Sequence, residues 1–372
     1  MTTLANTPLK IGVGVPLGGM GETLGREMAN ATQLAVDGAN EAGGINGHRI
    51  EAVVLDDKGR EEDGERVVKE FVRNSAAVAA IGHYNSNVTL QVAPLYAAAG
   101  LPLIGPIVSN PALTHSGWSN VYRFTNSDDA TGLAIAQYMV RQLGKKTVVV
   151  IQTDTVYGRS MSKEFAAAFE TAGGSVLRRH TVQEGERNFA DLVASLPREA
   201  SAIFYGGTFE GAPLVKEMRT RQDDRLFATG DGCWDVGNFL EPAGAAAEQG
   251  EGVLVLSACP QLGEIAGSLE MADRYERRFG RIRNYAVNAF DAAATLIDAI
   301  RVASNNGDPT RDRVADALRG IHRQGIAYEQ KISWDANGDN RAAVTALHRI
   351  ESGRFRQVAV VKKEGSQDST VG

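Results

Sequence analysis

The chain has 372 residues, 43% of them hydrophobic and 23% charged, enough for two domains of about 150 residues with a full core. A formal net charge of −6 argues against a mainly nucleic-acid or anionic-membrane binder, which would carry a basic patch. Two cysteines exclude a disulfide scaffold and most cysteine-rich metal sites, and no apolar run reaches the roughly 18 residues of a membrane span.

Met1–Pro8 is polar, without the basic and apolar regions of a secretion signal. That fits either a cytoplasmic protein or an exported one whose leader has been removed. Lys10–Leu17 reads as a buried strand. A helix follows over Met28–Ala42, with Met28, Ala31, Ala35 and Ala39 at helical spacing and Gly43-Gly44 just past its end. Ile50–Asp56 is a second strand and Ala77–Gly82 a third. Between them, Glu61–Asn74 is a helix with Val67, Val68, Phe71 and Val72 on one face. Asn87–Ala99 is a helix and Leu101–Pro106 a fourth strand.

The pattern then restarts. Helices are predicted over Ala130–Leu143, Met161–Ala172, Asn188–Leu196 and Gly211–Arg221. Strands are predicted over Thr147–Gln152, Ser175–Thr181, Ala202–Tyr205, Arg225–Thr229 and Gly252–Leu256. Strands alternating with helices at this spacing imply parallel sheets. Two such series imply an α/β protein of two doubly wound lobes. The remainder holds two helices, Tyr285–Ala303 and Thr310–Arg319, then strands Ile332–Trp334, Ala343–Ile350 and Arg354–Val361 with turns at Asn337-Gly338 and Ser352-Gly353. It makes no domain of its own, so it is expected to complete both lobes, with the chain crossing between them more than once. The polar end, Glu364–Gly372, is expected to fray.

Enzyme motifs are largely absent. Gly12-Val-Gly14 partly matches a dinucleotide fingerprint, but Leu17 stands at the third glycine position and the pair lies inside the strand. There is no Walker A sequence, G-x-S-x-G elbow or H-E-x-x-H. The six histidines are scattered, none at metal-ligand spacing. Asp335-Ala-Asn337-Gly-Asp339 begins like a calcium loop but has Asn340 and Ala346 at the sixth and twelfth positions, so a turn is the better reading. Cys233 and Cys259 either pair or remain two buried thiols.

Open α/β sheets bind ligands beyond the carboxyl ends of their strands. After Ala77–Gly82 comes Gly82-His-Tyr-Asn-Ser-Asn87, which puts Ser86 or Asn87 at a helix N-cap. A hydroxyl and free N–H groups there either hold a carboxylate or simply cap the helix. After Leu101–Pro106, the segment Ile107-Val108-Ser109 offers a hydroxyl and open carbonyls, or is a plain loop. In the second series, Tyr157, Thr208 and Asp231 each follow a strand. Asp231, between Gly230 and Gly232, is expected close to the backbone and little shielded. It would receive an ammonium group, or else serve as a turn residue. One lobe thus offers hydroxyls and helix N-termini to a carboxylate, and the other an acid to a cation.

With these residues in place, the sequence resembles the type I periplasmic solute-binding proteins of the branched-chain amino acid (Leu/Ile/Val-binding) group, receptors of ABC importers. The matching stretches are IGVGVPLGGMGETLG, AVDGANEAGGINGHRIEAVVLDD, AAIGHYNSNVTLQVAPLYAAAGLPLIGPIVSNPALT, YRFTNSDD, TDTVYG, IFYGGT, ATGDG and ISWDANGD. They span about Lys10 to Val361, and their order and spacing carry the match.

The resemblance implies a periplasmic binding protein-like I fold with a multi-strand hinge. Lobe 1 is expected to hold 1–127 and 257–334, and lobe 2 to hold 128–256 and 335–372. By the same resemblance, Ser86 and Ser109, with the backbone at Ile107 and Val108, hold the ligand carboxylate. Tyr157 faces the ligand and Asp231 takes its amino group. Leu24 and Thr208 stand where the family has aromatic side-chain walls, and the family's disulfide near the second strand is missing. The first two changes reshape the side-chain pocket, and an Asp at position 231 in place of a longer Glu leaves room for an amino group set further from the carboxylate, which suits other amino acids, including a γ-amino acid. The implied protein is a periplasmic, monomeric, non-enzymatic receptor. It closes over an amino acid in an interlobe cleft and delivers it to a membrane permease, with no cofactor, metal or nucleic acid. Three alternatives remain: a cytoplasmic ligand-sensing regulator for amides or amino acids on the same fold, an enzyme, and a receptor for aromatic acids.

Overall fold

The computed structural model describes residues 7–73, 77–283 and 285–362. Asn74, at the end of one predicted helix, the stretch before Thr7 and the polar tail Glu364–Gly372 lie outside the described residues. The chain divides into two compact units: residues up to Thr125 with Leu262–Ala342, and Asn126–Gln261 with the chain from Ala343 onward.

The first unit is built on a five-stranded sheet of β1 (Leu9–Val15), β2 (Ile50–Asp56), β3 (Ala77–Gly82), β4 (Leu103–Gly105) and β5 (Val121–Arg123). The order is β2-β1-β3-β4-β5, and every pair is parallel. Ala77–Gly82 is buried throughout, as expected for a central parallel strand covered on both faces. On one face Val67, Val68 and Phe71 from helix Glu61–Arg73 meet Val92 and Tyr96 from helix Ser86–Ala98. Helices Glu22–Glu41 and Ala286–Ala303 pack together elsewhere in the unit. Their many alanines permit close approach.

The second unit holds a seven-stranded sheet. Its strands are β6 (Thr147–Thr153), β7 (Ser175–Val182), β8 (Ala202–Gly206), β9 (Leu226–Thr229), β10 (Val253–Ser257), β11 (Val344–Glu351) and β12 (Arg354–Lys362). The order is β12-β11-β10-β9-β8-β6-β7. β11 and β12 run antiparallel, joined at Ser352-Gly353, where both residues have positive φ (51° and 67°), as a tight hairpin turn requires. Phe165, Phe169, Phe204, Val148 and Leu254 are among the residues of its core.

Several elements differ from their sequence-based bounds. The first long helix begins at Glu22, ahead of Met28, because its first turn is polar and gives no periodic signal. The helix placed at Met161 begins at Val156, capped by the Thr155 hydroxyl accepting from Gly158 N at 2.9 Å. Helix Ser268–Phe279 was hidden by its charge: only Ser268, Met271, Ala272 and Tyr275 are buried. Ile332–Trp334 is no strand. It makes single bridges, Ile332 to Arg323 and Trp334 to Asn340, because the chain doubles back at Asp335. That carboxylate accepts from the N–H groups of Asn337 and Asp339, both at 2.9 Å, so the acidic run is a turn.

The unit boundaries also fall differently. Residues 335–342 belong to the first unit, where Asp339 pairs with Arg123. Residues 257–261 belong to the second, where Gln261 N donates to the Gln357 side chain. Asn126 joins them there through Thr345 (3.0 Å).

His348 lies inside the second sheet, 1% exposed, stacked on Trp234 with Phe355 edge-on. Burial lowers its pKa from 6.5 to about 4. The native state therefore resists a proton that the unfolded chain accepts. The stability this confers is complete above about pH 6.5 and is lost as pH falls toward 4, about 3 kcal/mol in all. Urea denaturation of His348→Phe across this range is expected to show a shallower pH slope. An unchanged slope would refute the assignment.

Candidate ligand-binding site

In the first unit, Leu24, Ser86 and Ile107–Ser109 follow β1, β3 and β4, which are neighbours in the sheet, so all leave its carboxyl edge. Ser86 is 7% exposed and Ser109 4%. Leu24, Ile107 and Val108 are buried too. Ser86 is not the N-cap, as the sequence suggested; Asn85 is, and Ser86 opens the helix. Its hydroxyl thus lies among the first backbone N–H groups, which point away from the helix toward any anion placed there.

The β3 loop is anchored by a fully buried chain of three side chains. His83 Nδ1 lies 2.5 Å from Asp57 Oδ2, and His83 Nε2 lies 3.2 Å from the Tyr96 hydroxyl. Burial, with the Asp57 charge, raises the Tyr96 pKa. Tyr96 therefore keeps its proton, and the Asp57 carboxylate, which can only accept, takes the Nδ1 N–H of His83. The β4 loop is held by Arg123, which donates to the carbonyl oxygens of Ser109 and Asn110 at 3.0 and 2.6 Å.

In the second unit, Tyr157, Thr208 and Asp231 follow β6, β8 and β9, again adjacent strands. Here the structure brings predicted residues into contact. The Tyr157 hydroxyl donates to Asp231 Oδ1 at 2.8 Å and accepts from Gly232 N at 2.9 Å. Asp231 is not little shielded, as its glycine neighbours suggested: it is 8% exposed. Burial raises its pKa, against the lowering effects of the Tyr157 hydroxyl and backbone N–H groups. The Tyr157 pKa is raised too, by burial and then by the Asp231 charge, so Tyr157 stays a donor.

The flanking glycines serve space rather than flexibility. A β-carbon on Gly232 would lie 2.5 Å from the Gly207 carbonyl oxygen, 2.9 Å from the Tyr157 ring and 3.0 Å from the Thr208 methyl. One on Gly230 would lie 2.5 Å from the Tyr157 hydroxyl. Gly232→Ala is therefore expected to displace Tyr157 and cost about 1–3 kcal/mol, read as a lower urea midpoint. A wild-type midpoint would show that the ring is not held there.

Thr208 is committed within its own unit. Its hydroxyl and N–H donate to Glu210 Oε2 at 3.2 and 3.3 Å. Glu210, fully buried, also accepts from Tyr205 (3.0 Å) and Gly185 N (2.8 Å). Sequence reasoning missed Glu210, Arg123 and the Asp57–His83–Tyr96 chain. The available signal was a charge beside an apolar strand run, as in Val121-Tyr-Arg-Phe124, where burial demands a partner. The cysteines are resolved as two free buried thiols. Cys233 Sγ lies 3.0 Å from the Thr208 carbonyl oxygen.

Two α/β units whose polar residues gather at the carboxyl ends of adjacent strands define a solute-binding protein of the type I periplasmic fold. Residues 8–351 match the family described as periplasmic binding protein, and the chain belongs to it. It is 26% identical over 345 residues to Leu/Ile/Val-binding protein homolog 1 of Brucella abortus (strain 2308), covering 92% of this chain and 90% of that one. Among solved structures it is similar to the branched-chain amino acid transporter substrate binding protein LivJ from Streptococcus pneumoniae, solved with isoleucine (TM-score 0.86, 24% identity, covering 96% of this chain and 100% of that one). It is also similar to a solute-binding protein of an ABC transporter from R. palustris, solved with benzoate (TM-score 0.84, 18% identity, covering 96% and 98%).

Proposed function

We propose that the chain is an extracytoplasmic receptor of an ABC importer that holds one amino acid between its two lobes, closes over it and presents it to a membrane permease. The observation that carries this reading is Asp231, a buried acid whose raised pKa reports the cost of its charge. A ligand ammonium would offset that cost with a charge-assisted hydrogen bond. Ser86, Ser109 and the N–H groups opening helix Ser86–Ala98 supply the complementary anion contacts. Tyr157 orients Asp231, and Leu24 and Thr208 shape the space for the ligand side chain. Closure is favoured because only a closed state makes both sets of contacts. The receptor acts as a monomer and performs no turnover.

A thermal-shift screen of the protein against the twenty amino acids, γ-aminobutyrate, simple amides and aromatic acids tests this. A ligand that binds the folded state raises the melting temperature by mass action. Shifts confined to amino acids are expected. Shifts confined to amides or aromatic acids would remove Asp231 from the ammonium role.

A further inference from the structure

Arg123 ends β5 with its side chain fully buried. Its Nε and Nη2 donate to Asp339 Oδ1 at 2.9 and 2.8 Å, and Nη2 also lies 2.5 Å from Thr114 Oγ1. The Thr114 hydroxyl donates to the same Asp339 oxygen at 2.7 Å. The remaining arm, Nη1, spans two consecutive carbonyls, those of Ser109 and Asn110. The backbone is equally fixed: Arg123 N donates to Gly338 O at 2.9 Å, and Asn340 N to Arg123 O at 3.1 Å. One planar cation thus joins the loop after β4 to Thr114 and to the segment that contains Asp339.

We propose that Arg123, charge-balanced by Asp339, is a positioning residue for ligand binding: it holds the Ser109 hydroxyl and the backbone around it where they meet the ligand carboxylate. This rests on the function proposed above. Ser109 follows a strand of only three residues, Leu103–Gly105, so few ladder hydrogen bonds define where its loop begins. Nε and Nη2 hold the guanidinium plane on Asp339, and that plane fixes where Nη1 meets the two neighbouring carbonyls; a lysine ammonium is a single flexible point with no second arm to anchor it. Because the charge pair is buried, it is held rigidly and screened little by salt.

The test is a double-mutant cycle. The probe is an equimolar mixture of the twenty L-amino acids and γ-aminobutyrate, and the readout is the concentration giving half the maximal thermal shift. In the wild-type background, Ser109→Ala and Ser86→Ala are each expected to raise that concentration about tenfold. In the Arg123→Lys background, Ser109→Ala is expected to raise it less than twofold while Ser86→Ala keeps its full effect. A purely structural role would leave both serine effects unchanged, and that result overturns the proposal. Thr114→Val, which removes one partner of the guanidinium and keeps the charge pair, repeats the cycle should Arg123→Lys not fold. If the wild type shows no shift, or Ser109→Ala has no effect in it, the proposed function or its assignment of Ser109 fails first, and the positioning role falls with it.

Discussion

Replacing Asp231 with asparagine is expected to weaken amino-acid binding by about 2–5 kcal/mol, which is about 30-fold to several thousandfold. The substitution keeps the shape and can still accept from the Tyr157 hydroxyl, which lies 2.8 Å from Oδ1. It removes the negative charge that a ligand ammonium needs. The loss is large because Asp231 is buried, so water does not stand in for the missing charge. The pH dependence adds a second arm. Burial raises the Asp231 pKa above 3.8, so affinity should fall as pH drops through that raised value, where the carboxyl becomes neutral. In Asp231→Asn this fall should disappear. Calorimetric titration of the ligand found by thermal shift, repeated across acidic pH, reads both effects. Near-wild-type affinity in the variant would end the assignment of Asp231 as the ammonium partner.

The second large effect concerns stability. Asp57→Ala is expected to cost about 2–4 kcal/mol, because a buried donor left without its acceptor costs about 1–3 kcal/mol and a second donor loses its partner as well. Asp57 accepts from Gly59 N at 2.8 Å as well as facing His83 Nδ1. Without it, the His83 donor is stranded in the buried interior and the N–H of half-buried Gly59 loses its partner. Asp57→Asn keeps an acceptor toward His83 and should cost clearly less. Because His83 stands three residues before Ser86, Asp57→Ala should also loosen the β3 loop and lower ligand affinity. Urea denaturation gives the stability and the thermal-shift titration gives the affinity. An Asp57→Ala protein as stable as wild type would mean that the chain of three side chains is not the anchor described.

Much of the architecture was legible in the sequence because it depends on local pattern. Buried parallel strands such as Ala77–Gly82 announce themselves as short apolar runs, and amphipathic helices such as Glu61–Arg73 by their spacing. The alternation of the two, taken twice, already implied two doubly wound lobes. The strand-end rule then pointed to Ser86, Ser109, Tyr157, Thr208 and Asp231, since it needs only the place where each strand stops.

Elements with weak local pattern were not legible. Helix Ser268–Phe279 is half charged, and β5 is three residues long. Ile332–Trp334 has the apolar look of a strand, yet its neighbours give it only single bridges.

Tertiary structure alone decided how the site residues are held. That Tyr157 meets Asp231 depends on residues 74 apart, and that Arg123 meets Asp339 on residues 216 apart. It also decided that Asp231 is sheltered despite its two glycines, because burial is set by what packs over a residue rather than by its neighbours in the chain. The sequence determined where strands end and which side chains stand there. Only the fold determined which distant groups share each buried charge, because that depends on the order of strands in the sheet, and strand order is not a local property.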